Sequence, residues 1–396
     1  MFHVGMEYDR IEIRNTMQRR LAGSNMRFLH TSDWHLGFSL NNMPMIAEQK
    51  HFVAQIIEIA EQEKVDAVII SGDIFDHAVS NPDAIGLYNE AMTTLCLEKK
   101  IPVAVCAGNH DGAARLSSCA ELLSKAGLYI AGSIKNGIPS INIGDAAFHL
   151  LPFFSIEEVR YLYPEEEIKS YDAAMKTLLA HIPRESGRNI LAAHCFVSNA
   201  RLVESDRSAM VGGSNMVGAD TFDGFDYVAL GHLHRGQDIG DNIRYSGSPM
   251  KLSFSEAGHK KSVTIVDTRD MSRKEMPLHM LNDLRTLKGT YREILDGARK
   301  DPRASDYIKI ELEDEYAHME FRYALQEFYP HLLSLTGKEF ESKKENTLSV
   351  EQAASLDPQE IMMRFYEEYS GGEKPSETQI RWFLRALEEK KDGDKQ

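Results

Sequence analysis

Polar residues of the kinds that bind divalent metals recur at five places in the 396-residue sequence, each directly after a short apolar run. The clusters read SDWH at 32–35, SGD at 71–73, GNHD at 108–111, AAH at 192–194 and GHLH at 231–234. Carboxylate, carboxamide and imidazole groups together suit a borderline ion such as Mn²⁺, Fe²⁺ or Zn²⁺ better than Mg²⁺ or Ca²⁺. The candidate metal ligands are Asp33, His35, Asp73, Asn109, His194, His232 and His234.

The number of candidate ligands indicates a centre that holds two metal ions. Seven ligands are too many for one ion and suit two ions that share a bridging group, for which Asp73 is the natural candidate. A pair of metals stabilises both ends of an in-line phosphoryl displacement and supplies hydroxide from a bound water near neutral pH. Each cluster alone is better explained by a hydrogen-bonded residue at a strand end, but all five together predict a metal site.

The elements that position these residues follow an α/β pattern from about residue 26 to 265. Strands are predicted at 27–31, 65–71, 101–107, 189–193 and 226–230, and helices at 45–63, 82–99, 115–126 and 171–182. Each strand ends at one of the polar clusters, and ligands in open α/β sheets gather outside the carboxyl ends of strands. The pattern therefore predicts an α/β fold with a layered sheet core that collects the clusters at one edge.

Four segments are predicted along the chain. Residues 1–25 form an N-terminal extension without fixed structure, residues 26–267 the metal-binding domain, and residues 268–335 a small α+β domain. Residues 336–396 combine a polar linker with two amphipathic helices, the first of which begins at the helix cap Asp357. Such helices either bind a groove on a partner or pack back on their own domain, and the linker favours the partner.

Composition excludes several classes of protein. The net charge of −15 argues against a protein that coats nucleic acid by bulk charge, although residues 231–300 carry 13 basic and 9 acidic side chains. No apolar run approaches the roughly 20 residues of a membrane helix, and the first 25 residues lack the apolar stretch of a secretory signal. The four cysteines form no CxxC pair, which suits the reducing cytoplasm.

The phrases DWH, GDIFD, GNHD, AAH and GHLH, taken together, resemble the calcineurin-like metallophosphoesterase family over residues 27–266. The resemblance implies a β-sandwich flanked by helices with a dinuclear metal site. It implies two ligand sets that share one residue: Asp33, His35, Asp73 and His234 for one metal, and Asp73, Asn109, His194 and His232 for the other. It also implies that His110 contacts the phosphate and stabilises or protonates the leaving oxygen, with Asp111 orienting His110.

Longer phrases carry a finer resemblance. MRFLHTSDWHLG, VDAVIISGDIFD and YSGSPMKLSFSEAGHKKSVTIVD are similar to the SbcD family, the nuclease subunits of a bacterial exonuclease whose eukaryotic counterpart works in double-strand-break repair. This implies Mn²⁺-dependent cleavage of DNA, as an exonuclease on duplex ends and an endonuclease on single strands or hairpins. It implies an SbcC-type coiled-coil ATPase partner, two copies of each subunit, a DNA-capping role for residues 268–335 and docking of the closing helices on the partner.

Two alternatives stay open because fold and metal site do not fix the substrate. The first is a stand-alone metallophosphodiesterase or phosphatase acting on nucleotides or phosphoproteins. The second is a catalytically silent scaffold, which the complete set of ligands disfavours. For the nuclease hypothesis, Lys251, Lys260 and Lys261 in the basic stretch are predicted to contact DNA.

Overall fold

In a computed structural model of the chain, the described residues are 25–202, 216–314 and 318–337, with a few isolated residues between 357 and 382. The predicted extension 1–25 lies outside them except for Asn25. The polar linker and most of the two closing helices also lie outside the described residues.

The described residues form 19 β-strands. They are β1 (Arg27–Thr31), β2 (Ser39–Leu40), β3 (Met43–Pro44), β4 (Ala67–Ser71), β5 (Val103–Cys106), β6 (Leu128–Ala131), β7 (Ser140–Ile143), β8 (Ala146–Leu151), β9 (Arg188–His194), β10 (Phe196–Val197), β11 (Met216–Val217), β12 (Tyr227–Gly231), β13 (Gln237–Ile239), β14 (Ile243–Tyr245), β15 (Lys261–Asp267), β16 (Ser272–Leu278), β17 (Leu284–Gly289), β18 (Tyr307–Leu312) and β19 (Leu332–Thr336).

The α-helices lie between these strands. They are α1 (Ile46–Gln62), α2 (Pro82–Thr93), α3 (Ala113–Leu116), α4 (Ala120–Ser124), α5 (Ile156–Leu162), α6 (Tyr171–Ala180), α7 (Tyr291–Ala298) and α8 (Met319–Gln326). A π-helical turn at Thr94–Glu98 continues α2. Among the described residues, no helix is both long and apolar enough to cross a bilayer.

Two six-stranded sheets form a sandwich. The first has the order β16-β15-β1-β4-β5-β6, and the second has the order β13-β14-β12-β9-β8-β7. Phe28 of the first sheet packs edge-to-face against Phe148 and Tyr227 of the second, at ring-centroid distances of 5.4 and 5.6 Å. The strands at the centre are apolar on both faces because helices cover the outer faces, α1 and α2 on one sheet and α5 and α6 on the other.

The sandwich extends further along the chain than the sequence predicts. β16 pairs antiparallel with β15 over its whole length, so the first sheet continues to Leu278. The predicted boundary after residue 267 is therefore too early, because the exposed side chains of β16 give this edge strand no apolar signal.

A small α+β unit follows the sandwich. The parallel sheet β17-β18-β19 packs against α7 and α8 around Ile294, Ile308 and Leu325. The buried Glu48 of α1 accepts hydrogen bonds from the backbone N–H groups of Leu281 and Asn282, at 2.7 and 3.0 Å, and so fixes the connection to the sandwich.

Candidate metal centre

The polar clusters meet at the carboxyl ends of β1, β4, β5, β9 and β12. Three overlapping groups of side chains each have ligand atoms within 4.8 Å of one another: Asp33 with His35 and His234, Asp33 with Asp73 and His194, and His35 with Asp76 and His110. Asn109 joins the second group because its Oδ1 lies 3.0 Å from Nε2 of His194 and 3.0 Å from Nδ1 of His232. The structure thus brings all seven predicted ligands to one place.

Asp73 occupies the centre of the arrangement. Its Oδ2 lies 3.7 Å from Nε2 of His35 and 3.3 Å from Nε2 of His194, so it faces one histidine of each group. Its Oδ1 accepts the backbone N–H of His110 at 2.9 Å. Burial by itself raises the pKa of this carboxyl, but the neighbouring histidines, His194 foremost, hold the pKa far below its usual value. Asp73 is therefore a carboxylate, as a bridging ligand must be.

The two histidines beside Asn109 differ in protonation. His194 Nδ1 lies 2.9 Å from the carbonyl oxygen of Ser71, and a carbonyl only accepts, so Nδ1 donates and Nε2 faces Asp73. Burial lowers the pKa of His194, but the charge of Asp73 and the hydrogen bond to it raise the pKa to about 9. Burial and the charge of His194 lower the pKa of His232 to about 3, so His232 is neutral and ready to bind a metal.

One buried nitrogen of His35 lacks a hydrogen-bond partner among the described residues and indicates that the site fits a metal. Its Nδ1 donates to Oδ1 of Asp76 at 3.1 Å, because a carboxylate only accepts. Its Nε2 is buried and makes no hydrogen bond within the described part of the chain. Buried polar atoms without a partner are rare in folded proteins. A metal ion between His35 and Asp73 would satisfy this nitrogen, and the donor set of the whole cluster fits a divalent ion.

Backbone conformation aims the ligands. Four of the ligands have a positive backbone φ, in the left-handed region that residues other than glycine rarely adopt. The values are 52° for Asp33, 43° for His35, 50° for Asp73 and 97° for His232. Each such residue costs on the order of 1–3 kcal/mol and persists only where the surroundings hold it. Hydrogen bonds of 3.0 Å from the N–H groups of Asp33 and His35 to the carbonyls of Gly72 and Asp73 hold two of these loops together.

Gly108 lets the backbone approach Asp73 closely. A Cβ atom at this position would overlap the Asp73 carboxylate and backbone nitrogen. Gly108→Ala is therefore expected to weaken Mn²⁺ binding by about 10- to 100-fold, the range seen when a ligand loses its support. Isothermal titration calorimetry measures the affinity. The control is Gly258→Ala, where a Cβ meets nothing within 4 Å. Equal affinity in Gly108→Ala and Gly258→Ala would contradict this account of the glycine.

His110 lies beside the two groups that contain Asp33 and belongs to the third group, with His35 and Asp76. Its ring centroid is 4.8 Å from that of His35, and its Nδ1 is 2.9 Å from the main-chain carbonyl of Asp76, to which it donates. Its Nε2 is then the ring atom left to face a substrate.

The structure revises the expected role of Asp111. Its carboxylate accepts the backbone N–H groups of Ile74, Phe75 and Gly108, at 3.2, 2.9 and 2.8 Å. Burial and the charge of Asp73 raise the pKa of Asp111 to about 6, although these hydrogen bonds oppose the shift. Asp111 thus joins two ligand-bearing loops, and the Asp76 carbonyl rather than Asp111 orients the His110 ring.

Family comparisons agree with the geometry. The model of the calcineurin-like phosphoesterases matches residues 26–236. The chain belongs to that family. A second model, described as the type 5 capsule protein repressor C-terminal domain, matches residues 280–370 of this phosphoesterase.

Two curated relatives place the phosphoesterase more narrowly. The D subunit of the SbcCD nuclease from Staphylococcus epidermidis is 31% identical over 349 residues, which are 86% of this chain and 93% of the relative. The protein of the same name from Staphylococcus saprophyticus is 30% identical over 352 residues, 87% of this chain and 94% of the relative. The chain is therefore a member of the SbcD family and a metal-dependent phosphodiesterase of the nuclease type. A solved structure, the TT1561 protein of Thermus thermophilus, is 13% identical, covers 64% of this chain and 100% of its own, and has a TM-score of 0.34.

Three residues that sequence reasoning did not assign to the centre contact it in the phosphoesterase. Asp76 accepts a hydrogen bond from Nδ1 of His35. Glu256 lies 3.3 Å from Nδ1 of His234, and Lys261 donates to the His234 carbonyl at 2.8 Å. The only signal for Glu256 was an acidic residue inside the basic stretch that follows the last ligands.

The predicted DNA contacts of two lysines are wrong. Lys251 is buried and donates to the carbonyl of Ala257 and to Asp283, both at 2.6 Å. Lys261 is buried as well. Both ammonium groups hold the phosphoesterase together and neither is available to a phosphate, so of the three predicted lysines only Lys260 is exposed.

Proposed function

We propose that this chain is a Mn²⁺-dependent DNA nuclease subunit that cleaves phosphodiester bonds at duplex ends and in hairpins or single strands, in double-strand-break repair. The observation that carries the proposal is the position of Asp73, whose Oδ2 faces His35 and His194 together. A carboxylate between two imidazole-containing groups is placed where it would bridge two divalent ions, and such a pair stabilises both the attacking and the leaving oxygen of a phosphoryl displacement.

In this proposal, Asp33, His35, Asp73 and His234 hold one metal, and Asp73, Asn109, His194 and His232 hold the other. Two divalent ions held by these residues would supply hydroxide near neutral pH and would neutralise charge on the phosphate oxygens. A mixed oxygen and nitrogen donor set favours Mn²⁺ over Mg²⁺, which prefers oxygen ligands and retains its waters.

His110 has the geometry of a proton donor to the leaving oxygen. Because Nδ1 is fixed on the Asp76 carbonyl, the ring presents Nε2 to the phosphate beside the ligands. General acid catalysis of this kind contributes about 10²- to 10⁴-fold to a rate. Asp111 supports this step indirectly through the loop that carries His110.

A cleft between the sandwich and the small α+β unit supports DNA as the substrate and a capping role for that unit. It has a volume of about 450 Å³ and is lined by the turn at Ser253–Ser255 and, on the small sheet, by Thr286, Lys288, Lys309 and Glu311. Both lysines are ion-paired with Glu311, at 2.6 and 2.8 Å. The same turn ends at Glu256, which contacts the ligand His234. Serine hydroxyls on a turn that leads to the metal centre suit the phosphates that flank a scissile bond. The two lysines would reach a phosphate by exchanging it for Glu311.

The relatives are named as one subunit of a larger nuclease, which supports a partner. We infer an SbcC-type coiled-coil ATPase in an assembly with two copies of each subunit, and a cytoplasmic location. Residues 336–396 are the candidate docking segment.

The function is tested with purified protein, Mn²⁺ and end-labelled duplex and hairpin DNA, with and without the ATPase. The proposal expects metal-dependent cleavage of both substrates. Turnover of a small phosphodiester or phosphoprotein with no DNA cleavage in any condition would overturn it in favour of a stand-alone phosphodiesterase or phosphatase.

Metal binding is expected to release protons and to tighten as the pH rises from about 7 to about 9. In the metal-free protein, burial lowers the pKa of His194, but Asp73 raises it to about 9, so Nε2 carries a proton at neutral pH. The metal must displace that proton, and the competition disappears as the pH passes the pKa. Calorimetry in buffers of different ionisation enthalpy measures the release. Heats that are independent of the buffer, with one affinity at both pH values, would refute it.

A further inference from the structure

The imidazole of His234 forms a hydrogen bond with a fully buried carboxylate, that of Glu256. Oε1 of Glu256 lies 3.3 Å from Nδ1 of His234. Glu256 is 0% exposed and ends a 3₁₀ turn that begins at Phe254. Because a carboxylate only accepts hydrogen bonds, Nδ1 of His234 carries the hydrogen in this contact, and Nε2 is the ring nitrogen with the lone pair that a metal would use.

Lys261 fixes this carboxylate in turn. Its buried ammonium group donates to Oε2 of Glu256 at 2.6 Å, to Oγ of Ser248 at 2.7 Å and to the carbonyl of His234 at 2.8 Å. These three contacts match the three N–H donors of an ammonium group. One lysine thus holds both the main chain of His234 and the residue that touches its side chain.

A purely stabilising role explains this pair poorly. Taking two charges out of water carries a large desolvation cost, and replacing a buried pair by apolar residues is often neutral or stabilising. The pair also sits at a specific place, since the ring of His234 lies 5.2 Å from the ring of His35 within the group that contains Asp33.

We propose that Glu256, held by Lys261, is a positioning residue that fixes the tautomer and orientation of His234 so that Nε2 faces the metal shared with Asp33 and His35. The inference rests on the metal centre of the proposed function. It adds a carboxylate–histidine–metal triad to that centre. Loss of the carboxylate would lower the affinity for one metal although every ligand remains.

The test is metal binding by Glu256→Gln in the absence of DNA. Calorimetry with Mn²⁺ is expected to show one of the two binding steps weakened by about 10- to 100-fold and the other unchanged. The visible absorption of the Co²⁺-loaded protein is expected to change, because the altered ring orientation changes the ligand field. Glu48→Gln is the control, since Glu48 is as buried but accepts hydrogen bonds from Leu281 and Asn282 instead of a metal ligand.

A second variant keeps the test decisive if Glu256→Gln does not fold around the unpaired lysine. Glu256→Leu/Lys261→Met removes both charges, fills the site with apolar side chains and, unlike glutamine at 256, takes the acceptor at this position away from Nδ1 of His234. Loss of one metal step in a folded double variant supports the positioning role. Two wild-type binding steps and an unchanged Co²⁺ spectrum in either folded variant would overturn it. Failure of the wild-type protein to bind two metals would instead refute the proposed metal centre.

Discussion

Asp73→Asn is expected to abolish cleavage, with kcat lower by about four orders of magnitude or more, the scale seen when a group that acts as part of a unit is removed. The substitution removes the charge whose Oδ2 lies 3.3 Å from His194 and 3.7 Å from His35. The remaining amide oxygen cannot neutralise two cations, so the protein is expected to bind at most one metal tightly.

The measurement combines cleavage of end-labelled duplex DNA with calorimetric metal stoichiometry. Asp296→Asn is the matched control because Asp296 is an exposed carboxylate on α7, in the small α+β unit rather than at the ligand loops. Cleavage by Asp73→Asn within tenfold of the control, or two unperturbed metal-binding steps, would remove Asp73 from the bridging position.

His110→Ala is expected to lower kcat by about 10²- to 10⁴-fold, the contribution of a positioned general acid. The variant is expected to bind both metals normally. The His110 side chain contacts the Asp76 carbonyl, and the Asp73 carboxylate is held by the His110 backbone N–H, which alanine keeps. The loss should be smaller for a phosphodiester with a nitrophenolate leaving group, which needs no protonation.

His279→Ala is the control for this experiment, because His279 is exposed. Its described hydrogen bonds, both to Gln55, use its backbone atoms, which alanine keeps. Equal activity of His110→Ala and His279→Ala on DNA would refute a catalytic role for His110. A changed metal stoichiometry in His110→Ala would show that the ring supports the ligands instead.

Apolar patterning predicted most of the sandwich because its central strands are buried on both faces. The bounds predicted for the strand Arg27–Thr31 are those of the structure. The edge strand β16 is mostly exposed and has no run of apolar residues, so apolar patterning did not predict it. The single helix predicted at 115–126 is two short helices, because Cys119 between them has a left-handed φ of 60°.

The candidate ligands were predictable because each follows a strand, and strand ends converge at one edge of a sheet. The residues that orient them were not. Glu256 contacts His234 although the two residues are 22 positions apart in the sequence. The contact depends on where the turn at Glu256 lies in the fold, which the residue types of the turn do not indicate. The DNA contacts predicted for the three lysines failed for a similar reason. The charge of a basic stretch does not indicate which of its side chains are buried.

A titration of metal-free protein with Mn²⁺, followed by cleavage of end-labelled hairpin DNA at each step, tests the two-metal nuclease most directly. A two-metal nuclease is expected to show little turnover at one equivalent, a steep rise as the second equivalent binds, and no rise in Asp73→Asn. Full turnover at one equivalent, or metal binding without any DNA cleavage, would contradict it.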